Sequence, residues 1–112
     1  MIIEGTNISM INGDTETITV HLKDSDGVQI ELVTGDTVYF TVKDIATDVP
    51  TILQKTVTSF TSGDAVITLD SADTISLDIK TYVYDIQVTY ADATIGTLVM
   101  PSDFTLIKGV TE

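Results

Sequence analysis

The chain contains no cysteine, no tryptophan and no arginine, and its one histidine is His21. Without cysteine there is no disulfide framework, no thiolate metal centre and no cysteine nucleophile. Without arginine the bidentate contacts that read guanine are missing, and 17 acidic residues against five lysines give a formal charge of −12 that repels phosphate backbones. Nucleic acid is therefore not expected as a partner. The acidity reads first as a means of staying soluble and second as a field that steers a basic partner. No apolar run approaches the roughly 18 residues of a membrane span. The opening Met1-Ile2-Ile3-Glu4 has neither the basic nor the apolar region of a cleaved export signal. Neither a membrane nor a signal peptide is expected.

Motifs of catalysis are missing as well. No glycine-rich phosphate loop leads from a strand into a helix, and no nucleophile elbow is present. His21 stands among outward-facing strand residues with no serine or cysteine partner identifiable by motif, which makes it a surface residue. Paired carboxylates for glycoside hydrolysis meet only in space. Short loops and the lack of tryptophan as a sugar platform speak against them. The expectation is no enzyme, no catalytic residue and no cofactor.

What the chain does have is alternation. In Tyr82-Val83-Tyr84-Asp85-Ile86-Gln87-Val88-Thr89-Tyr90 the even positions form an apolar row, whereas Asp85, Gln87 and Thr89 face the other way. Only an extended strand has a period of two. Shorter runs of the same kind recur along all 112 residues, a length that makes one domain, 1–112, able to withdraw roughly two-thirds of its unfolded surface from water.

Residues 6–11 form the first predicted strand, with Ile8 and Met10 as its apolar pair. Asn12-Gly13-Asp14 turns the chain into a second, carrying Ile18, Val20 and Leu22. Asp24-Ser25-Asp26-Gly27 is a turn, and 28–32 is a short extended piece without an assigned partner. Gly35-Asp36 leads into a central strand with Val38, Phe40 and Val42 inward and Tyr39, Thr41 and Lys43 outward. Residues 44–50 read as a loop because Pro50 cannot donate to a ladder. Residues 51–58 read as an edge strand in which Lys55 points inward and discourages further pairing. Ser62-Gly63-Asp64 turns into Ala65, Ile67 and Leu69. Around 71–77 the rhythm breaks, and Asp70 or Ser71 can cap one helical turn, with Ile75 closing over one end of the core. A hairpin loop at Ala91-Asp92-Ala93-Thr94 joins the tyrosine strand to a last strand, 95–107, interrupted by a bulge at Pro101.

Seven strands, one helical turn near 71–77 and turns at this spacing predict an all-β, immunoglobulin-like antiparallel β-sandwich. Phe40 and Tyr84 take its centre, in place of the cysteines and tryptophan of true immunoglobulin domains. Gly-Asp precedes a strand three times, at Gly13-Asp14, Gly35-Asp36 and Gly63-Asp64. Unequal spacing makes this turn chemistry and not a repeat.

Calcium is the one metal worth testing against so many carboxylates. Asp24-Ser25-Asp26-Gly27 opens like a calcium loop but lacks the third acidic ligand and the glycine at the required offset. Asp36 and Asp64 are expected at one end of the sandwich and Asp14 at the other, so they do not converge. No metal site is expected.

In order along the chain, Asn12-Gly13-Asp14-Thr15, Ile18-Thr19-Val20, Asp24-Ser25-Asp26-Gly27, Gly35-Asp36-Thr37-Val38-Tyr39-Phe40-Thr41-Val42-Lys43, Lys55-Thr56-Val57-Thr58, Ala65-Val66-Ile67-Thr68-Leu69, Asp73-Thr74 and Tyr82-Val83-Tyr84-Asp85-Ile86-Gln87-Val88 cover nearly its whole length. In this order they resemble the small β-sandwich domains of phage and prophage tail modules, like the N-terminal domain of baseplate upper proteins of Gram-positive phages. The chain departs from that pattern at three turns: it has Asp78-Ile79-Lys80-Thr81 for a Pro-Gly turn, Ala93 for a hairpin glycine, and Ser102-Asp103 for a glycine before the final phenylalanine.

The resemblance implies a virion structural or assembly domain of a tail or baseplate, made in the bacterial cytoplasm. It would dock other virion tail or baseplate proteins without turnover, and a homo-oligomer, trimeric or hexameric to suit a tail, is among the implied arrangements. Strand addition at an open sheet edge is the mode such a sandwich offers. The candidate contact residues are Ile8 and Met10 of the first strand and the outward Tyr39. The competing class is an extracellular immunoglobulin-like binding or adhesion module, since one fold serves many functions.

Overall fold

The computed structural model describes residues 2–4, 6–20, 22–23, 26–44 and 51–109. His21, Asp24, Ser25 and residues 45–50 of the loop expected at 44–50 lie outside the described residues. Among the described residues ten strands and one helical turn follow in the order β1 (Ile2–Glu4), β2 (Asn7–Ile11), β3 (Glu16–Val20), β4 (Leu22–Lys23), β5 (Gln29–Ile30), β6 (Thr37–Lys43), β7 (Leu53–Val57), β8 (Ala65–Leu69), α1 (Ser71–Thr74), β9 (Thr81–Thr89) and β10 (Ile95–Ile107). The seven longer runs of alternation are all strands. The short ones add detail: the predicted second strand divides, its end pairing as β4 with β5, the piece that had no assigned partner.

A six-stranded sheet runs β1-β2-β10-β9-β6-β7, and β3 pairs with β8 in a second layer. Buried side chains from both layers form one core, with Ile18, Val20, Ala65, Ile67 and Leu69 on one side and Val38, Phe40, Val42, Tyr84, Ile86, Val88 and Phe104 on the other. The chain crosses between layers after β2, after β3, after β7 and again through α1. The last crossing inserts β9 between β6 and β10. That exchange of strands is the topology of an immunoglobulin-like sandwich.

One pairing departs from the antiparallel expectation. β10 runs parallel to β2, from Phe104 opposite Ile8 to Ile107 opposite Ile11. These strands are separated by nearly the whole chain, so no tight turn dictates their relative direction.

At the centre the Phe40 and Tyr84 rings lie 5.2 Å apart, and Phe104 meets both edge-on at 5.9 and 6.3 Å. The Tyr82 hydroxyl donates to the Asp78 carbonyl oxygen at 2.9 Å. A tyrosine at the start of this strand, bonded back to the backbone just upstream and two residues before a core position, is the tyrosine corner of immunoglobulin sandwiches. Tyr84 thus stands where such domains place their second cysteine, and its hydroxyl donates to the Thr6 carbonyl oxygen. The aromatic trio, all from the six-stranded sheet, packs around this position.

Turns behave as their residues require. Gly35 takes φ +103, where a Cβ would come within 2.9 Å of the Ala91 side chain. The neighbouring Asp36 carboxylate accepts from the Val33 amide at 2.9 Å and the Ala91 amide at 3.0 Å, tying two loops together. The helical turn follows Asp70, whose amide donates to the Asp73 carboxylate at 2.7 Å. Ile75 does not close the core: it is 51% exposed, and the fully buried Thr74 takes that place, its hydroxyl accepting from the Gly13 amide at 2.8 Å. A part-buried amide at the β2–β3 turn is better satisfied by an acceptor, which isoleucine cannot supply.

Candidate functional site

Strand addition, the expected mode of contact, needs an open sheet edge. β2 is not an edge: β1 flanks it on one side and β10 on the other. Ile8 and Met10, each 2% exposed, point into the chain's own core and are thereby corrected as contact residues. Alternation named them as inward-facing, and inward-facing side chains of a strand paired on both sides are consumed by folding.

The β7 edge is guarded as the sequence suggested. Lys55 turns toward α1, with its Nζ 2.7 Å from an Asp73 oxygen and 3.8 Å from Asp70. Bringing a foreign strand alongside would bury that charge further. Along β10, the ladder to β2 covers only Phe104–Ile107, so the preceding half of the strand has β9 as its ladder partner. Here two register shifts, between Thr97 and Val99 and between Val99 and Ser102, distort the open edge, and Pro101 removes a donor from it. These are barriers to strand addition.

The outer face of the six-stranded sheet is more open to contact. Tyr39 lies there half-buried, opposite Thr56 on one neighbour and Gln87 on the other. Of the three candidate contact residues, Tyr39 alone reaches the surface. Beside it is a cleft of about 270 Å³ lined by Thr41, Lys43, Gln54, Asp85, Gln87 and Pro101, among others. Three strands build its floor in register: Gln54 opposite Thr41, and Thr41 opposite Asp85. The Gln54 amide nitrogen donates to the Thr41 hydroxyl at 3.1 Å. The β10 bulge brings Pro101 to the cleft wall.

Asp85 is the group of chemical interest in this cleft. Partial burial raises its pKa above the ordinary aspartate value, and Lys43 pulls in the opposite direction without forming an ion pair. Among the described residues nothing donates a hydrogen bond to its carboxylate. Thr41, Lys43, Asp85 and Gln87 were legible as outward-facing; their convergence with Gln54 and Pro101 was not, because it depends on strand order and on a bulge.

Among the described residues no group of three or more His, Cys, Asp or Glu side chains is placed to hold a metal ion. Asp36 and Asp64 fall at one end of the sandwich and Asp14 at the other, as β3 and β8 run antiparallel. Asp36 is occupied as a loop clamp. The geometry defines an all-β sandwich with a polar cleft on its larger sheet. No family model and no curated protein matches the chain.

Proposed function

We propose that this domain is a structural or assembly module of a phage or prophage virion, in the tail or baseplate, which works by docking to neighbouring proteins without turnover. The supporting observation is that five of the eight segments resembling tail-module domains fall on β3, β6, β7, β8 and β9, so most of the likeness lies in strands of the sandwich. The β9–β10 arm adds apolar contact surface beside the outer face, with Ile95 69% and Met100 74% exposed. Guarded edges favour docking through the outer face over strand addition. Mass spectrometry of particles purified after prophage induction tests the reading. Peptides of this chain in the particle fraction are expected; their absence from particles, with the chain recovered from the cell wall, refutes it.

An extracellular immunoglobulin-like binding module is the second reading, favoured by the polar cleft. Gene neighbourhood separates the two, tail and lysis genes pointing to the virion and a wall anchor to the cell surface.

A further inference from the structure

The cleft has a chemistry that protein docking does not require. It combines one carboxylate, Asp85, one ammonium, Lys43, and the side-chain amides of Gln54 and Gln87. In a chain of net charge −12, this patch holds one charge of each sign, so it selects neither anions nor cations. Thr41 lies opposite Asp85, and Lys43 opposite Val83, on the adjacent strands β6 and β9. Lys43 and Asp85 are therefore diagonal neighbours on adjacent strands, their Cα atoms roughly 7–8 Å apart. A carboxylate only accepts and an ammonium only donates. A group that satisfies both at once must donate to one and accept from the other, which a hydroxyl does. Two adjacent hydroxyls can engage both charges and the flanking amides together.

We propose that the cleft binds a neutral, hydroxyl-rich ligand, a pyranose sugar, whose vicinal hydroxyls bridge Asp85 and Lys43 and meet the amides of Gln54 and Gln87. Pro101 and Val83 supply the apolar contact for the C–H face of the ring. The volume suits one sugar ring and not an extended chain, being just below the roughly 300–1,000 Å³ of drug-sized pockets. Half-buried Asp85 has already lost part of its hydration, and a donating hydroxyl restores what burial removed. The β10 bulges have a place in this arrangement, since they carry Pro101 to the wall. With no tryptophan in the chain to stack on the ring, affinity falls in the millimolar range.

Titration of ¹⁵N-labelled protein with glucose, galactose and N-acetylglucosamine, followed by amide chemical shifts, tests the proposal, with acetate and methylammonium as charge probes. At least one sugar is expected to shift the Thr41, Asp85 and Gln87 amides saturably, and Asp85→Ala is expected to weaken that binding about fivefold or more, the equivalent of one lost hydrogen bond. Gln54→Ala, at an exposed strand position that leaves the core intact, is expected to weaken it as well. No saturable shift with any of the three sugars, unchanged binding in both variants, or tighter saturation by either ion overturns the proposal. It does not rest on the virion reading, which the particle fraction tests separately.

Discussion

Phe40→Ala removes the ring on which the two layers meet. Phe40 has no exposed surface, and its ring touches Tyr84 and Phe104, on β9 beside β6 and on β10 one strand further in the same continuous sheet. Hydrogen-bonded ladders hold those three backbones at fixed spacing, so the walls cannot close over the space left behind. The loss therefore belongs in the upper part of the range of about 3–5 kcal/mol for phenylalanine to alanine, inclusive of two aromatic contacts at about 0.5–1.5 kcal/mol each. Small domains hold about 5–15 kcal/mol in all, so the variant loses between about a third and nearly all of its stability. Urea denaturation followed by circular dichroism, with equal m-values required of each variant, measures the difference. Phe40→Leu is expected to lose less than half as much. The adjacent outward Tyr39→Ala is also expected to lose less than half. A Phe40→Ala loss below about 1 kcal/mol, or an equal loss for Tyr39→Ala, refutes the placement of Phe40 at the centre.

Three further outcomes follow from particular residues. Ala93 holds φ +73 in the final hairpin, a left-handed conformation costing about 1–2 kcal/mol for a side chain with a Cβ, so Ala93→Gly should stabilise by about 0.5–1 kcal/mol; a lowered melting temperature would count against it. Lys55→Val strips the guard from the β7 edge and should raise the weight-average mass by light scattering, whereas an unchanged mass shows that the edge is protected by something else. Asp85 has a folded pKa above its unfolded one, from burial first and against the pull of Lys43, so the folded state holds that proton more tightly. The stability it contributes is complete below the unfolded value of about 3.9 and is lost as pH rises through the folded value. Asp85→Asn should therefore be more stable than the parent at neutral pH, with the gain shrinking toward pH 4; a gain that grows on acidification contradicts the burial argument.

Much of this is legible in the amino-acid sequence. Val38, Phe40 and Val42 had to face one way and Tyr39, Thr41 and Lys43 the other, since neighbouring residues of a strand point to opposite faces. The inward Lys55 announced an edge for the same reason. Ile8 and Met10 were read correctly as an apolar pair and wrongly as contact residues. Whether an inward-facing pair fills a core or awaits a partner depends on what lies beside the strand, and β10 arrives there from the far end of the chain. Ile75 misled because one helical turn is too short for periodicity to show which residue faces in, while the amide that needed Thr74 belongs to a distant turn.

By itself the sequence determined the rhythm: which residues seek the interior, where the backbone must turn, and that the surface is acidic. These are local matters, settled within a few residues by side-chain solubility and backbone sterics. Tertiary structure alone decided the neighbours: the parallel β2–β10 pair, the tyrosine corner beneath the aromatic trio, and a cleft assembled from three strands and a displaced proline. Pairing is a competition among segments far apart in the chain, and its outcome appears only when all of them are in place.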